Sequence, residues 1–372
     1  MQQSLIAIIT SAVAAYAGSV AAGAELERLQ TLSVAPGEKA LLAIDLNGDG
    51  HRDLLVGEED TGAGIVYLND GMGSLSEASR LALGPEPSWL VAFDADGDDA
   101  MDLAVANHEQ AFVTILLGTD SGGFDGASPR RVTAASLPHP HVIAAADFNG
   151  DGADDLMVDS RDRAGAVILE NTGGSFRPRG VSVDAGGAPY FGFTLGDFDS
   201  DGRPDLATPN RDHVRVVRNR TEKSALRFEA EQRLTLAAPF FVVAADFNGD
   251  GHLDLLGASE NARAGLAVFL NDGRGTFGSP QQFRMPAGAK TAAVGDLNGD
   301  GVSDAVVGSW SGALHAVIGG RESIRSAPLG GHGIVAPWAP TLSDLDGDGR
   351  DELIVGDASG SAVAIFQVEL DQ

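Results

Sequence analysis

Short apolar runs recur along this chain in a fixed order. One precedes each of a series of acidic segments, at residues 41–44, 90–93, 142–146 and 241–245. A second follows each acidic segment, at 54–56, 103–105, 156–158, 255–256 and 353–355. A third follows a Gly turn, at 64–68, 165–169 and 265–270, and a weaker fourth follows turns such as those at 69–71 and 271–273. Runs this short, rich in branched side chains and bounded by Gly and Asp, predict strands rather than helices. No twelve-residue stretch after Glu25 carries helical periodicity. Four strands in about 50 residues, repeated, describe the blade of a β-propeller.

The acidic segments are one nine-residue string repeated seven times, with starts 49, 53, 50, 49, 50 and 48 residues apart. The expected architecture is therefore all-β: a seven-bladed β-propeller of four-stranded antiparallel blades. After the seventh string only two strands fit, over 352–356 and 362–370. The segment 28–34 resembles the outer strand expected at 232–236, so it is predicted to complete the last blade and close the ring. Closure also removes an exposed sheet edge.

Each string offers oxygen side chains at positions 1, 3, 5 and 9 and a carbonyl at position 7. The first supplies Asp45, Asn47, Asp49, His51 and Asp53; the second Asp94, Asp96, Asp98, Ala100 and Asp102; the third Asp147, Asn149, Asp151, Ala153 and Asp155. The fourth has Asp197, Asp199, Asp201, Arg203 and Asp205, and the fifth Asp246, Asn248, Asp250, His252 and Asp254. The sixth has Asp296, Asn298, Asp300, Val302 and Asp304, and the seventh Asp344, Asp346, Asp348, Arg350 and Glu352. Such a set can wrap one hard cation, and Ca²⁺, with six to eight oxygens in a flexible geometry, suits it better than Mg²⁺. Up to seven Ca²⁺ ions are expected. The alternative is that these are solvated Asx–Gly turns that need no ion. An EF-hand is excluded, because it needs a Glu at position 12 and flanking helices, whereas Val56, Val105, Val158 and Val355 stand there. His51 and His252 should turn their rings outward, since position 7 ligates through its carbonyl. The fourth string, with Ser200 and Pro204, and the seventh, with Glu352, depart most from the pattern.

The strings explain the charge. The chain carries 53 acidic against 25 basic residues, a formal net charge of −28, and seven divalent ions would halve it. Such acidity disfavours nucleic acid and anionic membranes as partners. The absence of cysteine excludes disulfides and thiol chemistry. At the N-terminus an apolar run ends in Ala22-Gly-Ala24 before Glu25. It reads as a signal peptide over residues 1–24, with 25–372 as one propeller that is secreted, periplasmic or held at the cell surface, and monomeric. Nothing after residue 25 approaches a spanning helix. Asn219-Arg-Thr221 is a formal glycosylation acceptor.

The Asp-Phe-Asn-Gly-Asp-Gly-x-x-Asp string before an apolar strand, with Asn-Asp-Gly-x-Gly-Thr-Phe over 271–277, resembles the FG-GAP/VCBS repeat, which also builds the N-terminal propeller of integrin α chains. The resemblance spans about residues 28–370. It implies calcium held in the acidic loops but says little of the ligand, since the family includes adhesion modules, carbohydrate-recognising propellers and domains attached to enzymes.

If the loops join each innermost strand to the next, the starts of the innermost strands open on the opposite face near the axis. Counting six residues back from each loop gives Lys39, Ser88, His141, Phe191, Phe240, Lys290 and Trp338, with Trp89, Tyr190 and Phe241 adjacent. Aromatic planes stack on sugars or apolar side chains, and lysines meet carboxylate or sulfate. This face is the expected site for a glycan or extracellular protein. The same residues can instead plug the channel. No nucleophile elbow, P-loop or zinc-protease motif is present; Gly308-Ser-Trp-Ser-Gly312 has Trp where a nucleophile would stand. The one enzymatic reading is a polysaccharide lyase using Lys39, His141, Tyr190 and Lys290. A purely structural surface protein is the third.

Overall fold

The computed structural model describes residues 24–119, 123–124, 128–134, 140–159, 165–183, 192–223, 225–285 and 288–370. The signal-peptide reading and the candidates Tyr190 and Phe191 fall outside these residues. Among those described, the regular structure is strand throughout, and no helix is long and apolar enough to cross a membrane.

The first blade sets the plan. Lys39–Ile44 pairs antiparallel with Asp53–Glu58, which pairs with Ala63–Asn69, which pairs with Leu75–Ala82. The acidic loop joins the two inner strands, with Ile44 opposite Asp53. Four more four-stranded sheets follow, with innermost strands Pro87–Phe93, Ile143–Ala146, Thr194–Gly196 and Pro239–Ala245.

The last part of the ring differs from the expected seven separate sheets. There are five four-stranded sheets and one of eight strands. The strand Ala24–Ser33 pairs antiparallel with the C-terminal strand Ala362–Leu370, as the closing strand was expected to do. It runs ten residues, however, and its first two pair parallel with the neighbouring outer strand, Ala24 with Leu329 and Glu25 with Gly330. That overrun fuses two four-strand units.

The second strand of a unit is buried along its whole length in six units, as in Asp53–Glu58, Asp102–Asn107 and Asp304–Ser309, and in the last unit, Glu352–Asp357, along all but its final residue. Both faces of such a strand meet a neighbouring sheet, so the sequence shows a continuous apolar run instead of alternation. One face of the first unit (Leu55, Val66, Leu83) packs on Leu90, Leu103 and Val105 of the second. Its other face (Leu54, Val56, Ile65) packs on Ile354 and Ile365 of the C-terminal unit and on Leu32 of the closing strand. The apolar layers thus run around the molecule and return to their start.

Candidate functional site: acidic loops and the opposite face

Each loop is first a hydrogen-bonded turn. In the first, Asp45 Oδ1 accepts from the amides of Gly48 (2.7 Å) and Asp49 (3.2 Å), and Oδ2 from Gly50 (2.8 Å). Asn47 Oδ1 accepts from Asp49 N, and Asp49 Oδ1 from His51 N, both at 2.9 Å. The wrap needs positive φ at positions 4 and 6. Where Gly is missing, Asp99 (φ 67°) and Ser200 (φ 59°) adopt it, at some steric cost.

The acid at position 9 has a second task. Asp53 is fully buried; its Oδ2 accepts from Leu46 N and its Oδ1 from Asn69 N, both at 2.9 Å. Asp102, Asp254 and Asp304 repeat this bridge from the loop to the end of the third strand. Burial, with like charges at positions 1 and 5, pushes Asp254 and Asp155 up to about 6 and Asp304 and Glu352 up to about 7. Nothing among the described cationic side chains offsets that cost at Asp53, Asp254 or Asp304.

The third-strand Asn then ties one unit to the one before. Asn69 Nδ2 donates to Leu345 O, Asn171 Nδ2 to Ala95 O, Asn219 Nδ2 to Phe148 O and Asn271 Nδ2 to Phe198 O, at 2.7–3.1 Å. Each acceptor is position 2 of the preceding loop. Asn219 is wholly buried in this role, so it is closed to glycosylation.

The donor set suits a hard cation. Carboxylate oxygens of Asp94, Asp96 and Asp102, of Asp197, Asp199 and Asp205, and of Asp344, Asp346 and Asp348 lie within 4.8 Å of one another in each group. In the third loop two buried acceptors, Asn149 Oδ1 and Asp155 Oδ2, have no hydrogen-bond donor, and Glu352 Oε1 in the seventh is alike. A cation would satisfy such atoms. The His51 and His252 rings lie over Gly71 and Gly273, where an added Cβ would come within 2.6 Å and 2.4 Å of them. The Arg203 and Arg350 side chains fold back onto Asp201 and Asp348.

The opposite face is built by the starts of the innermost strands and by the return loops after each second strand. A small, shallow pocket is lined by Lys39, Trp89, His141 and Trp338, with Glu38, Glu59, His108 and Thr291. Trp89 also lines the apolar channel beneath, with Leu41, Leu90 and Val294, and packs on Phe241 at 5.9 Å. Lys290 Nζ lies 3.3 Å from the ring centroid of Trp338 and 3.9 Å from that of Trp310. Burial lowers Lys290 to about 8, against the opposing charge of Glu38.

Not all candidates have the expected role. Lys39 is 1% exposed and donates to Gly37 O, so its ammonium is committed within the chain. Phe240 is buried in the core and stacks edge-on against Trp310 at 5.6 Å. Ser88 hydroxyl hydrogen-bonds backbone carbonyls, among them His141 O at 3.1 Å. Of the four groups of the lyase reading, Lys39 is thus engaged within the chain, and Tyr190 lies outside the described residues. Four contributors were missed: His108, Glu59, Glu38 and Trp310. His108 Nδ1 lies 3.2 Å from Glu59 Oε1, which raises the imidazole, and Glu38 is raised by burial and by Glu59. Trp310, 55% exposed, had a signal: it is one of only three tryptophans.

With this geometry in hand, the comparisons are consistent. A family pattern described as FG-GAP-like repeat matches residues 45–105, 94–158, 197–257 and 246–307, more than half of the chain. No curated protein matches. Among solved structures, BBS1N in complex with ARL6DN, soaked with lead, superposes with a TM-score of 0.59 at 14% identity, over 93% of this chain and 97% of that one. The mercury-soaked form gives 0.60 at 13% over the same shares. An Agrocybe aegerita lectin, described as recognising non-reducing terminal N-acetylglucosamine, gives 0.51 at 17%, over 90% and 88%. At these identities the likeness is one of fold.

Proposed function

The chain belongs to the FG-GAP-like repeat family, and from that premise we propose that it is a calcium-loaded propeller that binds a glycan or protein on the face opposite its acidic loops. We count the eight-stranded sheet as two blades joined at their outer edges, which gives seven around one axis. Calcium in the loops neutralises the buried position-9 acids and keeps successive blades in register. We expect calcium affinities of order 10⁻⁴–10⁻³ M, as in extracellular modules, and propose a setting outside the cytoplasm. The N-terminal apolar run agrees with export.

One observation carries the binding role. All three tryptophans of a chain with 6% aromatic residues gather at this face. Trp310 leaves an indole edge exposed beside a buried lysine. An exposed indole beside polar and charged groups suits the apolar face and hydroxyls of a sugar, or a protein side chain. That two of the similar folds are described with a protein partner and with a terminal sugar supports both ligand classes equally.

The test uses the tryptophans themselves. Since all three lie at the face, their fluorescence reports ligand there and nowhere else. Oligosaccharides ending in N-acetylglucosamine, then a wider glycan and protein panel, are titrated in calcium. A saturable change that Trp310→Ala abolishes supports the reading. Binding with no spectral change, or undiminished by that substitution, moves the site elsewhere.

A further inference from the structure

The fourth loop contains cations of its own. Arg218, fully buried, places Nη1 2.6 Å from Asp205 Oδ2 and Nε 3.2 Å from Glu231 Oε2 and 3.9 Å from Asp199 Oδ2. Its Nη2 donates to Gly275 O in the next blade. Gly275 has to be glycine here, because an added Cβ would overlap the guanidinium. Arg220 Nη1 lies 2.9 Å from Asp199 Oδ2 and 3.3 Å from Asp201 Oδ2, and its Nη2 is 2.6 Å from Glu231 Oε1. Arg203 closes the group by pairing with Asp201.

The position of Arg218 is singular. It immediately precedes the residue whose amide caps the position-9 acid, and the same place holds Leu68, Leu117, Glu170, Leu270 and Ile318 in other units. In those five units an apolar or acidic side chain stands beside the loop, and in the C-terminal unit the neutral amide of Gln367 does; here a guanidinium reaches in. Asp199 keeps one oxygen, Oδ1, without a donor, but its other oxygen and Asp205 Oδ2 are both bound by arginine. A divalent ion among these acids would sit against two fixed like charges.

We propose that the fourth loop is not a calcium site: the Arg218 guanidinium, seconded by Arg220, takes the cation's place and ties Asp205, Asp199 and the next blade together. The inference rests on the calcium reading only for its contrast with the other loops. In place of a spherical ion the loop has a planar, permanently charged donor that cannot be removed by chelation. One blade junction is thereby made independent of metal supply.

Amide hydrogen exchange on the full-length protein, in excess calcium and in chelator, tests this peptide by peptide. In the wild type, residues 197–205 should exchange equally in both media, while 246–254 in the fifth loop should slow when calcium is present. Arg218→Leu should remove the protection of 197–205 in both media. If that variant does not fold, Arg220→Gln, on a more exposed side chain, should give a partial loss in the same peptide. Calcium slowing 197–205 as it slows 246–254 would overturn the proposal, and so would an Arg218→Leu protein that folds with its fourth loop unchanged. If no loop responds to calcium yet Arg218→Leu still frees 197–205, the calcium reading fails and the arginine lock stands.

Discussion

Asn171 reaches across a blade boundary to donate its side-chain amide to the backbone carbonyl of Ala95, 2.7 Å away and 76 residues earlier in the chain. The same side chain donates to Asp154 O, while its backbone amide donates to the buried Asp155. One asparagine therefore joins a loop, the strand that follows it and the preceding blade. Asn69 and Asn271 do the same in their own units.

Removing this tie leaves buried carbonyls without a donor. Asn271→Ala should cost about 1–3 kcal/mol, read as a lowered urea midpoint with an unchanged slope. Asn271→Asp should be at least as harmful, since it keeps the shape but replaces the donor with an acceptor. A midpoint equal to wild type in both would show that the bond carries no net stability.

Ring closure rests on the N-terminal strand. Leu32 is buried between the first and last units with Leu54, Ile354 and Ile365. Leu32→Ala should cost about 2–5 kcal/mol, although Leu32 lies outside every acidic loop. Equilibrium unfolding followed by circular dichroism measures it, and a loss below that range would mean that the ring does not depend on this strand.

Trp310 and Trp338 separate binding from folding. Trp310 is exposed, so Trp310→Ala should change stability by no more than about 0.5 kcal/mol while removing binding at the face. Trp338 is buried beside Lys290, so Trp338→Ala should lower the melting temperature as well. Equal thermal shifts for the two variants would contradict this division.

Lys290 gives the fold a pH signature. Its ordinary value is 10.5, and burial brings it to about 8 in the folded protein. Between these values the unfolded chain holds a proton at this site that the native protein has released. Stability therefore gains from this residue as pH rises from about 8 to 10.5, a gain absent below that window. The stability of wild type relative to Lys290→Met, by urea unfolding at pH 7.5 and 9.5, should rise with pH. A constant difference would mean that the two indoles, which favour the charged form, hold the lysine at its ordinary value.

Much of this was legible in the chain. Seven acidic strings fixed where the inner strands end, and the apolar runs after them became the fully buried second strands, such as Asp53–Glu58. The closing strand could be inferred because the last repeat lacks an outer segment. Its overrun onto Leu329 and Gly330 could not, since a two-residue parallel contact has no periodic signature. Asn69 and Asn271 read only as turn residues, and Asn171 is not singled out at all, because their partners lie a blade away. Glu59 and His108 sit on return loops, and Glu38 just before an innermost strand, all without a repeated pattern, so only the assembled face brings them together. Arg218 stands out only once strand registers align it with Leu68 and Leu270.

The claim at the centre is that divalent ions occupy the acidic loops and lock neighbouring blades. Thermal unfolding in millimolar calcium and in chelator, paired with native mass spectrometry, tests it most directly. The account predicts several bound calcium ions and a melting temperature that climbs with calcium concentration, as expected when a ligand binds only the folded state. An identical melting temperature in both media, with no metal retained in the mass spectrum, would contradict it.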